Sequence, residues 1–361
     1  MALTRLTLRD FRNHAATRLD QMATFNVLVG ENGAGKTNVL EAISLLAPGR
    51  GLRRAQPADM AAATGPGGFA IAADLEAGAL SIGTMTTPAA PGRRTVRING
   101  ADGPATRLAE WLAITWLTPA MDRLFAEGAS ARRRFLDRLV LAGDPGHARN
   151  AARYEAALRE RNRLLADPAE PDPVWMDALE VQLAGTGVAI AVARRTLTMR
   201  LDAAIAAEPA GPFARPLLTY AGETPDMPAA LAAMLRDGRR RDRAAGRTLV
   251  GPHRDDLAVT MAAKDAPAAT CSTGEQKAML ISIVLAHAAL GAASGGGTRP
   301  RLLLLDEIAA HLDPLRRAAL YARLATSGAQ VWMTGTEPAP FADLPAPAAF
   351  WRVADGRVER I

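Results

Sequence analysis

Apolar and polar positions alternate over residues 3–9, and an unbroken apolar run covers Phe25 to Val29; both predict strands, flanking Phe11-Arg12-Asn13-His14. Helical spacing follows over Asn38 to Leu46, and Pro48 to Gly68 is rich in Gly, Pro and Ala and reads as irregular. Phe69–Leu75, Ala79–Thr84, Thr95–Ile98 and Ile114–Leu117 predict further short strands, with Asn99-Gly100 as a hairpin turn. From about Arg123 to Ala245 the period changes to that of helices. Phe135, Leu136, Leu139 and Val140 share one face of Arg132–Leu141, and Tyr154, Leu158, Leu164 and Leu165 mark a second helix. After Pro168, Pro171 and Pro173 a third runs from Val174 to about Ala207; Leu217–Tyr220 reads as a strand and Met227–Arg243 as another helix. Heptads are not sustained, so no coiled-coil arm is expected. Strand character returns at Leu257–Met261. A helix over Glu275–Ala292, a flexible loop at Ser294–Gly297, a strand at Leu302–Leu305, a helix at Pro314–Thr326, a strand at Gln330–Met333 and a hairpin over 350–361 complete the chain. The expectation is an α/β fold with mixed sheets: one lobe from 1–120 and 247–361, and a mainly helical lobe inserted over 121–246.

Composition adds exclusions. At 49% apolar over 361 residues the chain is expected to fold around sizeable cores. No run of about 18 uninterrupted apolar residues argues for a membrane span, and Met1 to Arg5 lack the apolar core of a signal peptide. A single cysteine, Cys271, excludes an intrachain disulfide and a Cys-rich metal site; it is expected to act as a small buried hydrophobe. A cytoplasmic protein without a membrane partner fits. The net charge of +6 suggests a polyanionic partner. Only three of 43 basic side chains are lysines: Lys36, Lys264 and Lys277.

One of those lysines sits in Gly30-Glu31-Asn32-Gly33-Ala34-Gly35-Lys36-Thr37, which matches G-x-x-x-x-G-K-[ST] between a predicted strand and a predicted helix. Glycines let successive amides turn toward an anion, and the helix N-terminus adds partial positive charge. Lys36 is placed to reach the β- and γ-phosphates, and Thr37 to ligate Mg²⁺. The run Leu302–Leu305 ends in Asp306-Glu307, as in a buried parallel strand that delivers acids to a sheet edge. With a phosphate loop present, Asp306 suits a Mg²⁺ ligand and Glu307 a general base for the attacking water; alone, the pair could simply cap a helix. Ser272-Thr273-Gly274-Glu275-Gln276-Lys277 opens an apolar helix and could form a second anion site, or an ordinary capping box of Ser272 with Glu275.

In this order, phosphate loop, S-x-G-E-x-K, leucine-rich strand with Asp-Glu and then His311-Leu312-Asp313, the chain resembles ABC-type ATPase heads. More closely, it is similar to the RecF family of DNA repair proteins. The similarity is carried by Phe11-Arg12-Asn13-His14, by the loop with Thr37 to Ala42, by Arg132 to Asp137, by Arg159 to Leu165, and most specifically by Gly251-Pro252-His253-Arg254-Asp255-Asp256-Leu257. The resemblance implies a slow, DNA-stimulated ATPase that clamps duplex DNA at single-strand gaps and works with RecO and RecR to load RecA. It implies ATP and Mg²⁺ sandwiched between two copies arranged head to tail. Gly30, Glu31, Asn32, Gly33, Ala34, Gly35, Lys36, Thr37 and Asn38 would hold the nucleotide, with Arg12 and Asn13 close by. Thr37 and Asp306 would hold the metal, and Lys36 and Glu307 would carry the chemistry. Ser272 and Gly274 would touch the nucleotide of the other copy, near Asp313. Thr334-Gly335-Thr336 stands where many such heads carry a histidine, Ala310-His311 replaces a common serine before Leu312-Asp313, and Thr118 to Asp122 occupies the region of the glutamine loop.

Arg132, Arg133 and Arg134 and the run Arg239, Arg240 and Arg241 are the DNA-binding candidates, because guanidinium groups suit phosphate contacts. They could equally lie on solvated helix faces with Asp137 and Asp242 as partners. His253 has no companion ligand cluster and is read as structural. The five tryptophans are read as core or interface anchors. Two other functions share the motifs: the ATP-binding subunit of a transporter, and an interaction protein stapled by ATP without hydrolysis.

Overall fold

A computed structural model describes residues 3–75, 79–209, 211–293, 299–345 and 347–361; the loop expected at Ser294–Gly297 lies outside them. The chain divides into two compact units, Met1–Asp122 with Ala210–Phe213 and Val284–Ile361, and Arg123–Pro209 with Ala214–Ile283.

The first unit is built on two sheets. Strands β1 (Leu3–Phe11), β2 (His14–Asp20), β4 (Ala70–Leu75), β5 (Leu80–Thr87), β6 (Ala90–Ile98) and β7 (Ala101–Gly103) form one, wholly antiparallel, in the order β2-β1-β4-β5-β6-β7. The second has the order β15-β14-β3-β13-β12-β8, from β3 (Phe25–Val29), β8 (Ala113–Leu117), β12 (Arg301–Leu305), β13 (Gln330–Gly335), β14 (Ala348–Ala354) and β15 (Arg357–Arg360). All its pairs are parallel except β14 with β15. Strands β3 and β13 at its centre are buried along their whole length, as strands covered on both faces require.

Helix α1 (Lys36–Ser44) packs on β1 of one sheet and on β8 and β13 of the other. Val39, Leu40 and Ile43 are fully buried there, and each such side chain contributes about 1.5–3 kcal/mol by leaving water. The helix ends in a basic clamp: the Arg94 guanidinium donates to the carbonyls of Leu45, Ala47 and Gly49 and to Thr84 Oγ1. A cation on the last carbonyls is the favourable charge for a helix C-terminus. Burial nevertheless pulls the Arg94 pKa down to about 10.

The second unit gathers α2 (Ala129–Gly143), α3 (Gly146–Ala166), α4 (Pro173–Ala207), α5 (Pro228–Asp237), α6 (Arg239–Ala244) and a three-stranded antiparallel sheet. Its strands β9 (Pro216–Ala221), β10 (Asp256–Met261) and β11 (Ala266–Pro267) pair in the order β11-β10-β9. The helix expected over Met227–Arg243 is two helices. A Cβ at Gly238 would stand 2.9 Å from Met234 O, so glycine permits the break there. Return to the first unit was expected at 247 and comes later, at Val284, because β10 finds its ladder on β9, Asp256 opposite Ala221 through Met261 opposite Pro216. Helix α7 (Thr273–Ala293) therefore contributes residues to both units, and α8 (Pro314–Ala325) belongs to the first.

Helices α4 and α7 are each long and apolar enough to cross a membrane by length and composition. In α4 that apolar character is core-forming: Leu183, Ala184, Val188 and Ile190 pack with Tyr154, Ala157, Leu231 and Leu235. Cys271 is half-buried rather than buried, with Sγ 3.9 Å from Met261 Sδ. Trp116, Trp332 and Trp351 are core residues, whereas Trp175 is half-exposed.

Candidate nucleotide site

Three neighbouring parallel strands, β3, β13 and β12, deliver the polar residues of the site from their C-terminal ends, the edge at which parallel α/β sheets bind ligands. Residues 30–37 follow β3, Asp306 and Glu307 follow β12, and Thr334 lies near the end of β13.

The glycine loop is fitted closely to the chain behind it. A Cβ on Gly30 would lie 2.1 Å from Val353 O. Gly35 has φ +115°, and a Cβ there would meet Asn13 and the His14 ring within 2.9 Å. The β1–β2 turn thus forms the floor of the loop. Asn13 Nδ2 donates to Ala34 O (3.0 Å), Asn13 Oδ1 accepts from Asn38 Nδ2 (2.7 Å), and the His14 ring reaches Gly35 O (3.1 Å) and Thr17 Oγ1 (2.9 Å). Thr17 in turn donates to Gly356 O, and the Gly356 amide donates to Ala34 O. Burial lowers the His14 pKa, against the raising effect of its backbone bonds.

Arg12 is held by α1 and its neighbours. Its guanidinium makes a bidentate pair with the fully buried Glu41 of α1 (2.9 and 2.7 Å) and donates to Asp59 O, and Arg53 adds a second cation to Glu41. Arg12 sits in the left-handed region (φ +56°), a conformation that surrounding contacts must fix. It joins the turn to the phosphate-loop helix, so these contacts are those of a scaffold.

Within the loop, Lys36 Nζ donates to Gly30 O (2.6 Å) and Glu31 O (2.8 Å). Burial lowers its pKa, and the carboxylates of Glu307 and Asp306 act against that. Thr37 Oγ1 lies 3.0 and 3.1 Å from the two Asp306 oxygens. Burial raises the Asp306 pKa, opposed by the bonds from Thr334 and Thr37. A hydroxyl facing a carboxylate is the hard-oxygen pair that suits Mg²⁺, a metal that keeps several waters and takes phosphate oxygens for the rest. Among the described residues no group of three or more His, Cys, Asp and Glu could hold a metal by itself, so the donor set fits a metal that arrives with a phosphate ligand.

Ser272 and Glu275 form a capping box at the start of α7, with Gly274 between them. The Ser272 amide and hydroxyl both donate to Glu275 Oε2 (3.0 Å each), and the Glu275 amide returns a longer bond to Ser272 Oγ. Lys264 Nζ pairs with Glu275 Oε1 at 2.5 Å, and that bond, with those from Ser272, holds the Glu275 carboxyl at about 2. Ser272 and Gly274 are exposed, and a Cβ on Gly274 would meet nothing within 4 Å. Asp313 caps α8, its Oδ1 accepting from the Arg316 amide (2.9 Å).

A family model for the RecF/RecN/SMC N terminal domain matches residues 2–344. The DNA replication and repair protein RecF of Mesorhizobium japonicum is 51% identical over 370 residues, spanning 99% of this chain and 97% of that protein. The chain belongs to the RecF family. A solved structure of the recombination mediator protein RecF with ATP, in the RecFOR pathway, superposes with a TM-score of 0.82 at 21% identity, covering 99% of each chain. An Smc head domain from Pyrococcus furiosus gives 0.56 at 16% identity, over 100% of this chain and 96% of that one. Both support the ABC-type head fold.

The RecF-family stretch Gly251–Leu257 is a staple inside the second unit. Tyr154 Oη bonds His253 Nδ1 (2.7 Å), His253 Nε2 bonds Thr248 O, Tyr220 Oη donates to Asp255 Oδ2 (2.6 Å), and Arg194 donates to Pro252 O. His253 is thus a structural residue, its pKa lowered chiefly by burial. The arginine candidates divide. Arg132 makes a bidentate pair with Asp256, Arg133 donates to Asp255 O, and Arg239 pairs with Asp177 and Glu180. Those three side chains are committed to the protein itself; Arg240 and Arg241 are exposed, and so is Arg134, which also has a partner within the chain. The expected aspartate partners are used differently too: Asp137 serves Arg194 and His147, and Asp242 serves Arg161. Sequence reasoning missed His14 and Thr17 as supports of the loop, and Thr334 beside the acid pair.

Proposed function

We propose that this protein is an ATP-dependent DNA-binding repair protein whose nucleotide state controls pairing of two copies on gapped DNA. The observation that carries the reading is the Thr37 hydroxyl facing both oxygens of Asp306 at 3.0 and 3.1 Å, with Lys36 and Glu307 beside them. These groups suit binding of ATP with Mg²⁺: the loop amides and Lys36 hold the phosphates, Thr37 and Asp306 hold the metal, and Glu307 takes the proton of the attacking water. Bound metal supplies neutralisation of the phosphate charge. Lys36, now on loop carbonyls, exchanges those partners for phosphate oxygens.

Pairing of two copies is supported by Gly274. Glycine in a helix costs about 1 kcal/mol against alanine, yet nothing inside this copy crowds the position. Close approach of a phosphate held by a second copy gives glycine a reason to be there. Exposed Arg134, Arg240 and Arg241 supply candidate phosphate contacts to DNA. Family membership supports RecO and RecR as partners, RecA loading as the outcome, and a cytoplasmic setting. Turnover below about 10 s⁻¹, the middle of the enzyme range, is expected of such a switch.

Gel filtration with and without ATP, for wild type and Lys36→Ala, with gapped duplex added, tests the reading. Wild type should double in mass and retain DNA only with ATP, and Lys36→Ala should do neither. One mass under all conditions, with DNA retention indifferent to ATP, would overturn it.

A further inference from the structure

Thr334 occupies the place where many ABC-type heads carry a histidine, and its surroundings differ from those of an idle substitute. The side chain is fully buried. Its Oγ1 donates to Asp306 Oδ1 at 2.7 Å and accepts from the Glu307 amide at 2.8 Å. One hydroxyl thereby touches both members of the acid pair, through a side-chain oxygen of one and the backbone of the other.

Glu307 needs such a support. It has φ +55°, the left-handed region, which a non-glycine residue keeps only when neighbours fix it. Its amide would be an orphan donor at a strand end without Thr334, because β12 ends at Leu305. The direction of the Glu307 side chain follows from this peptide. Asp306 is fixed from two sides: Thr37 lies across both its oxygens, and Thr334 takes Oδ1.

We propose that Thr334 is the positioning residue of the acid pair, setting Asp306 and Glu307 in register with one bifunctional hydroxyl. A hydroxyl can donate to the carboxylate and accept from the amide at once; neither alanine nor valine can do either. The role rests on the nucleotide-site reading above for its effect on turnover, and on geometry alone for its effect on the Glu307 backbone. It also accounts for a head that works without the histidine: the residue at this strand end organises the chain's own acids and need not reach the phosphate.

Thr334→Ala and Thr334→Ser, purified as full chains, test it through two readouts. The first is ATP turnover beside ATP affinity. Thr334→Ala should lose at least tenfold in kcat while ATP affinity stays within threefold of wild type, and Thr334→Ser should keep kcat within threefold. The second, in nucleotide-free protein, is amide hydrogen exchange in a peptide spanning residues 304–310. It should speed at least tenfold in Thr334→Ala at the Glu307 amide and return to the wild-type rate in Thr334→Ser. The inference stands only if both readouts move in alanine and both are restored by serine. Any other pattern overturns it: alanine matching wild type, serine failing like alanine, or affinity falling in step with kcat. If wild type itself shows no turnover, the proposed function fails instead, and the exchange arm still decides whether Thr334 holds the Glu307 backbone.

Discussion

Replacing Arg161 with methionine should cost the second unit about 3–5 kcal/mol, the range for stranding a buried charge. Arg161 has no exposed surface, and its guanidinium donates to Glu180 Oε1 (3.1 Å), Asp242 Oδ2 (2.7 Å), Thr248 Oγ1 (2.8 Å) and Leu235 O (2.8 Å). The two carboxylates fare differently once it is gone. Glu180 keeps Arg239 at 3.0 and 2.6 Å, whereas the fully buried carboxylate of Asp242 is left with the neutral Leu249 amide at 3.2 Å. Most of the loss therefore belongs to Asp242, and Arg161→Met with Asp242→Asn should recover more than half of it. Urea unfolding of both variants checks the magnitudes. Trp175 is the one tryptophan among residues of the second unit and supplies a local signal, and hydrogen exchange in α3 and α4 supplies another. A loss below about 1.5 kcal/mol for the single variant, or a double variant no better than the single, would refute the charge argument and leave packing as the explanation.

Glu307→Gln should bind ATP and hold two copies together for at least tenfold longer than wild type, as followed by light scattering after dilution of ATP; a lifetime like that of wild type would mean Glu307 does not activate the water. Arg240→Ala with Arg241→Ala should flatten the dependence of log affinity for gapped DNA on log salt by about 0.9 for each phosphate no longer neutralised, with the unfolding midpoint unchanged. Arg132→Ala, which breaks the pair with Asp256, should lower the unfolding midpoint instead. Burial raises the Asp137 pKa, but the His147 hydrogen bond and the Arg194 charge outweigh it and hold the carboxyl at about 2. A depressed carboxylate stabilises above its unfolded value, about 3.9, and loses that contribution as pH falls toward its folded value. Urea midpoints should therefore drop between pH 4 and pH 2, and Asp137→Asn should be less stable at pH 7 and flatter over that window.

The alternation and periodicity of apolar residues reveal most elements of the fold, because strands such as Leu302–Leu305 and helices such as Pro173–Ala207 are defined by what they bury. Strand β2 is the exception. Its inward positions are His14, Thr17 and Leu19, two of them polar, so period-2 hydrophobicity is absent although the strand is real. Those same polar groups pack behind the phosphate loop, and their partners, Gly35 and Gly356, are 21 and 339 residues distant from the side chains they bond. No local pattern records such a pairing. The loop and the acid pair were legible because their chemistry is compressed into a few consecutive residues. The arginine runs were not, since Arg132 and Asp256 lie 124 positions apart and only the folded chain reveals that one neutralises the other. Gly238 illustrates a milder case: helical spacing continues through it, and only the folded chain reveals that Met234 O leaves little room for a Cβ there.

The scarcity of lysine turns two working parts of the molecule into chemical labels. Only Lys36, Lys264 and Lys277 carry side-chain amines. Lys36 is nearly inaccessible within the phosphate loop, whereas Lys264 is half-exposed on the acid that restrains Ser272. An acylating reagent or an isotope-coded tag will therefore mark this turn with little background elsewhere, and the rate at which it does so becomes a clock for how often the ammonium leaves the Glu275 carboxylate.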